Sequence, residues 1–187
     1  MPNLERLSLE GCEVSVSDLK RLEGHPALMA VSITDSDVTS ECIDALAGIP
    51  DLGILDLSRT LIDDRFLSDL GRLKSLGVLT LDDTKVTDAG LAAIPATVRL
   101  DSLSLENTKI SEAGLLNVKQ VPPTMSLSGT FVRVTEPLLQ WFLAHPISDL
   151  TLDETMFFPN SEAAKKLSNH VEFLHINSAS DSTDNAN

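Results

Sequence analysis

Between Leu76 and Leu115 the chain repeats itself. Leu76, Leu79, Leu81, Thr84, Val86 and Leu91 are matched 24 residues later by Leu100, Leu103, Leu105, Thr108, Ile110 and Leu115. The polar positions recur as well: Thr84-Lys85-Val86-Thr87-Asp88-Ala89-Gly90-Leu91 is answered by Thr108-Lys109-Ile110-Ser111-Glu112-Ala113-Gly114-Leu115. A fixed period in the range of about 20–50 residues marks a repeat architecture, in which each unit buries its apolar edge only against its neighbours. Stepping back by 24 reaches Leu52, Leu55, Leu57, Thr60 and Ile62, then Leu28, Val31, Ile33, Ser36 and Val38, then Leu4, Leu7, Leu9, Cys12 and Val14. Stepping forward, the register slips by two at Met125, Leu127, Thr130 and Val132. It recovers at Ile147, Leu150, Leu152 and Thr155, and ends at Val171, Leu174 and Ile176. Seven repeats and a final strand therefore occupy residues 1–177 as one domain, and the polar stretch 178–187 reads as a disordered tail.

Within a repeat, Leu79-Thr80-Leu81 alternates as a strand does, its leucines facing a core and Val78, Thr80 and Asp82 facing the other way. The Thr column (Cys12, Ser36, Thr60, Thr84, Thr108, Thr130, Thr155) supplies a small hydroxyl where the backbone turns. Thr39, Thr87, Ser111 and Thr135 are helix N-cap candidates, followed by first-turn acids such as Asp88, Glu112 and Glu136. Pro26, Pro50, Pro122 and Pro146 end the helical segments. The pattern L-x-x-L-x-L, followed by a polar residue, resembles the leucine-rich-repeat family, with Thr, Ser or Cys in place of the usual Asn. The continuation Ile110-Ser111-Glu112-Ala113-Gly114-Leu115 is most similar to its cysteine-containing, ribonuclease-inhibitor-like branch, found in ubiquitin-ligase substrate receptors and in bacterial stand-alone proteins. The resemblance covers nearly the whole chain. It implies a right-handed α/β solenoid with a parallel sheet on the concave face and short helices on the convex face. It does not by itself imply a function, because the family is defined by a scaffold. No helical segment of the ubiquitin-ligase type precedes Leu4, so that role is not carried over. The first repeat starts without a polar cap, which leaves either a piece of a longer repeat protein or an edge covered by something else.

A net charge of −14 argues against nucleic-acid and anionic-membrane partners. It suits solubility, and beyond that a basic partner. Two cysteines are too few for a disulfide framework, so Cys12 and Cys42 read as small packed residues. No signal peptide, membrane span or glycosylation sequon is evident, and a reducing cytoplasm follows as the default compartment.

Phosphate loops, zinc-protease motifs and nucleophile elbows are absent from the sequence. His25, His145 and His170 fall at helix ends, where an imidazole caps. His175 alone is placed on the concave side. That face reads in columns: Arg6, Ala30, Ile54, Val78, Ser102, Thr124, Asp149, Phe173; then Ser8, Ser32, Asp56, Thr80, Ser104, Ser126, Thr151, His175; then Glu10, Thr34, Ser58, Asp82, Glu106, Ser128, Asp153, Asn177. The expected function is protein recognition without catalysis or cofactor. The concave contact would comprise Ile54, Asp56, Val78, Thr80, Asp82, Glu106 and Asp153. A loop rim would add Leu61, Phe131 and Met156, apolar residues at a position that is otherwise polar. The rival reading places a cation-dependent or hydrolytic site at Asp82, Asp83 and Glu106, since paired carboxylates can hold an ion or share a proton. No metal site is otherwise indicated.

Overall fold

The computed structural model of the chain describes residues 2–130, 132–156 and 162–177. Eight strands form one parallel sheet in sequential order: β1 (Arg6–Ser8), β2 (Ala30–Ser32), β3 (Ile54–Asp56), β4 (Val78–Thr80), β5 (Ser102–Ser104), β6 (Thr124–Ser126), β7 (Asp149–Asp153) and β8 (Phe173–Asn177). Parallel neighbours need a crossover, and here it is supplied by helices of four to nine residues. They are α1 (Val16–Leu19), α2 (Ile43–Leu46), α3 (Asp64–Ser68), α4 (Asp88–Ala93), α5 (Glu112–Leu116), α6 (Glu136–Ala144) and α7 (Glu162–Ser168), some continued by a 3₁₀ turn. Sequential order of this kind makes a right-handed α/β solenoid.

The central residue of each three-residue strand, β1 to β6, is apolar, and in the longer β7 and β8 the second and fourth residues take that place. Leu55, Leu79, Leu103, Met125 and Leu150 pair in register and are buried, as are Leu57, Leu81, Leu105, Leu127 and Leu152 two positions on. The core is one continuous stack, closed on the helical side by Phe66, Leu91, Leu115, Leu138 and Phe142. Each repeat also hands backbone bonds to the next beyond the strands: Leu57 N–H to Thr80 O and Leu81 N–H to Ser104 O, both 3.0 Å.

The Thr column performs the turn chemistry. Thr60, Thr84 and Thr108 each donate their hydroxyl to the carbonyl three residues back at 2.6 Å, and Thr130 does so at 2.7 Å. Three members depart from the expectation. Cys12 is exposed rather than packed, and its thiol donates to Glu10 O at 3.4 Å. Ser36 has a buried Oγ with no hydrogen-bond partner. Thr155 is exposed within the 3₁₀ turn Glu154–Met156, which follows a longer strand β7 and breaks the column. Cys42 is buried as expected, and its desolvated thiol is pushed up to about 12.

The caps are only partly as predicted. Thr87 and Thr135 accept from their own helices, at Ala89 N–H and Leu138 N–H. Thr39 and Ser111 do not cap, whereas Ser15 and Asp63 do. Ser111 is bonded to the preceding repeat instead: Asp88 accepts the Ser111 N–H at 2.8 Å and the Ser111 hydroxyl at 2.5 Å. Asp64 holds Thr87 in the same way, both bonds at 2.7 Å, and Glu112 takes the Thr135 hydroxyl. First-turn acids therefore staple α3 to α4, α4 to α5 and α5 to α6. Phe131, Phe157, Phe158 and the predicted tail 178–187 lie outside the described residues.

Candidate functional site

The concave columns stand in the predicted register. Ile54 pairs with Val78, and Asp56 with Thr80; Ile54 is 39% exposed and Val78 half-buried, so the two form an apolar step on the open face. Beside it the carboxylates are not loose. Asp56 accepts the Ser58 hydroxyl at 2.5 Å and the Ser58 N–H at 3.0 Å. Asp82 reaches across to the next repeat, taking the Ser104 hydroxyl at 2.6 Å and the Glu106 N–H at 2.8 Å. Glu106 repeats the move on Ser126, and Asp153 accepts the Gly129 N–H. The small hydroxyls of one column thus orient the acids of the next, fixing a strip of negative charge along the sheet. Adjacent parallel strands lie about 4.8 Å apart, so a ligand spanning the strip meets an acid every one or two strands.

Burial raises the Asp82 carboxyl to about 6, against the hydrogen bonds from Ser104 and Glu106 N–H, with a smaller push from the charges of Glu106 and Asp56. A carboxylate held partly out of water gains most when a cation docks on it.

Asp83 is not part of this pair. It lies one residue beyond Asp82, in a left-handed turn with φ 55°. The same turn recurs at Gly11, Asp35, Arg59, Asn107 and Gly129, all at positive φ. Gly, Asn and Asp are the residues that visit this region readily, and Arg59 is the exception. Asp35 holds Arg59 by two bonds, Nε to Oδ1 at 2.6 Å and Nη2 to Oδ2 at 2.7 Å, and Asp83 attracts it from the far side. Sequence reading missed this row. Its signal was the Gly/Asp/Asn content at one position of the 24-residue period.

The predicted loop rim is dispersed. Leu61 is 38% exposed, as expected. Met156 is buried: the 3₁₀ turn after β7 rotates it into the core, where its carbonyl accepts the Val134 N–H at 2.8 Å. Phe131 lies outside the described residues. Among the histidines, His145 caps α6 with Nδ1 2.7 Å from Trp141 O, and His175 on β8 is 3.6 Å from Asp149. Among the described residues no three His, Cys, Asp or Glu side chains converge as a metal ion would need, and no helix is long and apolar enough to cross a membrane.

Internalin C2 of Listeria monocytogenes, known from a crystal structure, superposes with a TM-score of 0.55 over 93% of this chain and 80% of its own, at 18% identity. Internalins are leucine-rich-repeat proteins. The fold is a leucine-rich-repeat solenoid. Internalin F of the same organism aligns at a TM-score of 0.47 and 16% identity, over 94% of this chain and 67% of its own. No family model and no curated protein matches the sequence. At such identities the likeness concerns the scaffold, and the solenoid's function rests on its own surface.

Proposed function

We propose that the chain is a non-catalytic protein-recognition module that takes a basic partner on its acidic concave face. The observation that carries this reading is the strip Asp56, Asp82, Glu106 and Asp153, each acid held by a hydrogen bond from a neighbouring Ser hydroxyl or backbone N–H. Preoriented acids need not be ordered when the partner arrives, so less conformational entropy opposes binding. Thr80, Ile54 and Val78 add a small polar and apolar area beside the strip, suited to the aliphatic stem of a lysine or arginine. Internalin-type neighbours agree with an interaction scaffold in general terms. Two free cysteines, Cys12 and Cys42, accord with a reducing cytoplasm.

The test is an affinity capture from the source's own lysate, with wild type beside Asp56→Lys/Glu106→Lys. Retention by wild type alone, followed by direct rebinding of the purified protein, is the expected result. Equal retention by both overturns the concave proposal.

A hydrolytic reading of Asp82 has one observation in its favour, a carboxyl titrating at about 6. Asp82 would then be the proton donor and Glu106 the base or nucleophile. Both acids, however, are already engaged by the hydroxyls of Ser104 and Ser126. The Asp82→Asn variant discriminates: it abolishes hydrolysis but leaves recognition of a basic partner weakened, not lost.

A further inference from the structure

The loops that follow the strands enclose a groove of about 980 Å³ at the N-terminal end of the solenoid, between the left-handed turns of the first four repeats and the start of α1. Its apolar lining is Val14, Cys12 and the exposed Leu61. Five carboxylates line it, Glu13, Asp18, Asp35, Asp37 and Asp83, against two cations, Arg59 and Lys85. Arg59 is not available to a ligand's acid, because Asp35 grips it in a two-point pair and Asp83 attracts it too. Asp18 is likewise engaged, in the capping box with Ser15. Glu13 and Asp37 remain exposed on the walls. Ser36, the member of the hydroxyl column whose Oγ has no hydrogen-bond partner, lines the same groove.

We infer that this groove is a second docking site, for an extended basic segment of a partner protein that carries an apolar residue between its cations. The inference rests on the reading of the chain as a protein-recognition module, and it adds a separate contact to the concave one. Charge decides the occupant: with Arg59 already paired to Asp35, four carboxylates, Glu13, Asp18, Asp37 and Asp83, face the single cation Lys85, which disfavours an acidic peptide. The exposed Leu61 on the lining decides the rest, since a purely hydrophilic cation would leave that surface uncovered. The groove and the concave strip share the third and fourth repeats, so one extended partner can engage both, and linked contacts raise overall affinity without new chemistry at either.

The probe is a short fluorescein-labelled peptide alternating lysine and leucine, with lysine–glycine and glutamate–leucine peptides as controls, read by fluorescence anisotropy. The proteins are wild type, the groove variants Leu61→Asp and Glu13→Lys/Asp37→Lys, and the concave variant Asp56→Lys/Glu106→Lys. The altered groove residues are exposed, so folding is retained, and circular dichroism of each variant verifies it. The expected result is binding of the lysine–leucine peptide that weakens about tenfold or more in both groove variants and less than about twofold in the concave variant. The lysine–glycine peptide binds about tenfold more weakly, and the glutamate–leucine peptide not at all. Three results overturn the inference: no binding of the lysine–leucine peptide to wild type, unchanged binding by the groove variants, or equal binding of the lysine–glycine peptide. Loss confined to the concave variant also overturns it while leaving the concave reading standing. Loss confined to the groove variants supports the groove, whatever the lysate capture reports for the concave face.

Discussion

Gly114 shows why a helix can require its poorest ordinary former. A Cβ built there would lie 2.6 Å from Asp88 Cγ and 3.0 Å from Asp88 Cβ, and Asp88 is not free to move, since it holds the Ser111 N–H and hydroxyl. Ala is normally preferred to Gly inside a helix by about 1 kcal/mol. Here Gly114→Ala is expected to destabilise, by about 1–3 kcal/mol in chemical denaturation, through the crowding of a packed site. Asp88→Ala alone loses two bonds and leaves the Ser111 N–H unpaired, costing about 1–3 kcal/mol. In that background the loss caused by Gly114→Ala should shrink, because the carboxylate is gone and only the Cβ at position 88, 3.0 Å away, still crowds the site. A loss of equal size in both backgrounds would refute the packing account. Asp82 supplies the second residue-scale prediction. Its carboxyl titrates at about 6 when folded, well above the usual carboxylate range, through desolvation. The folded state therefore binds the proton more tightly than the unfolded one. Its contribution is fully present below the unfolded pKa of about 4 and is lost as pH rises through about 6. The linkage relation limits the effect to about 3 kcal/mol, and solvent screening of this partly exposed group reduces it. Asp82→Asn should melt with wild type near pH 4 and above it at pH 7.5; identical melting at both pH values would show that the carboxylate is not desolvated.

At the scale of elements, most of the architecture was legible from the period alone. Alternation in Leu79-Thr80-Leu81 placed the core on one side and the concave columns on the other, and the strand pairing Ile54 to Val78 to Ser102 follows that register. What escaped was side-chain partnership between repeats. Thr87 and Ser111 look alike as N-caps in sequence, and each gives its N–H and hydroxyl to an acid of the preceding helix, yet only Thr87 also caps its own helix. Met156 escaped for a different reason. Strand β7 runs five residues, not three, so the loop position that is exposed at Leu61 becomes a buried turn position at Met156. The concave acids were placed correctly, but not the hydroxyl bonds that fix them. Coupling of this nearest-neighbour kind also grades stability along the stack. The first strand has no fully buried residue, whereas β4 centres on the fully buried Leu79. Amide hydrogen exchange should be slowest in β3 to β5 and faster in β1, and uniform protection across all eight strands would contradict a graded solenoid.

Across the whole molecule, the charge of −14 is distributed with a purpose that composition alone does not reveal. Part of it staples helices on the convex side, through Asp64, Asp88 and Glu112; part is neutralised in the loop row at Asp35. A further share, at Asp56, Asp82, Glu106 and Asp153, is presented on the open face of a rigid sheet. This share is available to a partner there, held in place by the bond of Asp56 to Ser58 and by bonds of the other three to a neighbouring repeat. The most direct test is therefore the equilibrium affinity of the purified retained protein for wild type and for Asp56→Lys/Glu106→Lys, measured across a series of salt concentrations. A wild-type affinity that falls with salt, and a loss of about tenfold or more in the variant that shrinks as salt rises, is the predicted outcome. Equal affinities for the two proteins at every salt concentration would contradict recognition by the concave face.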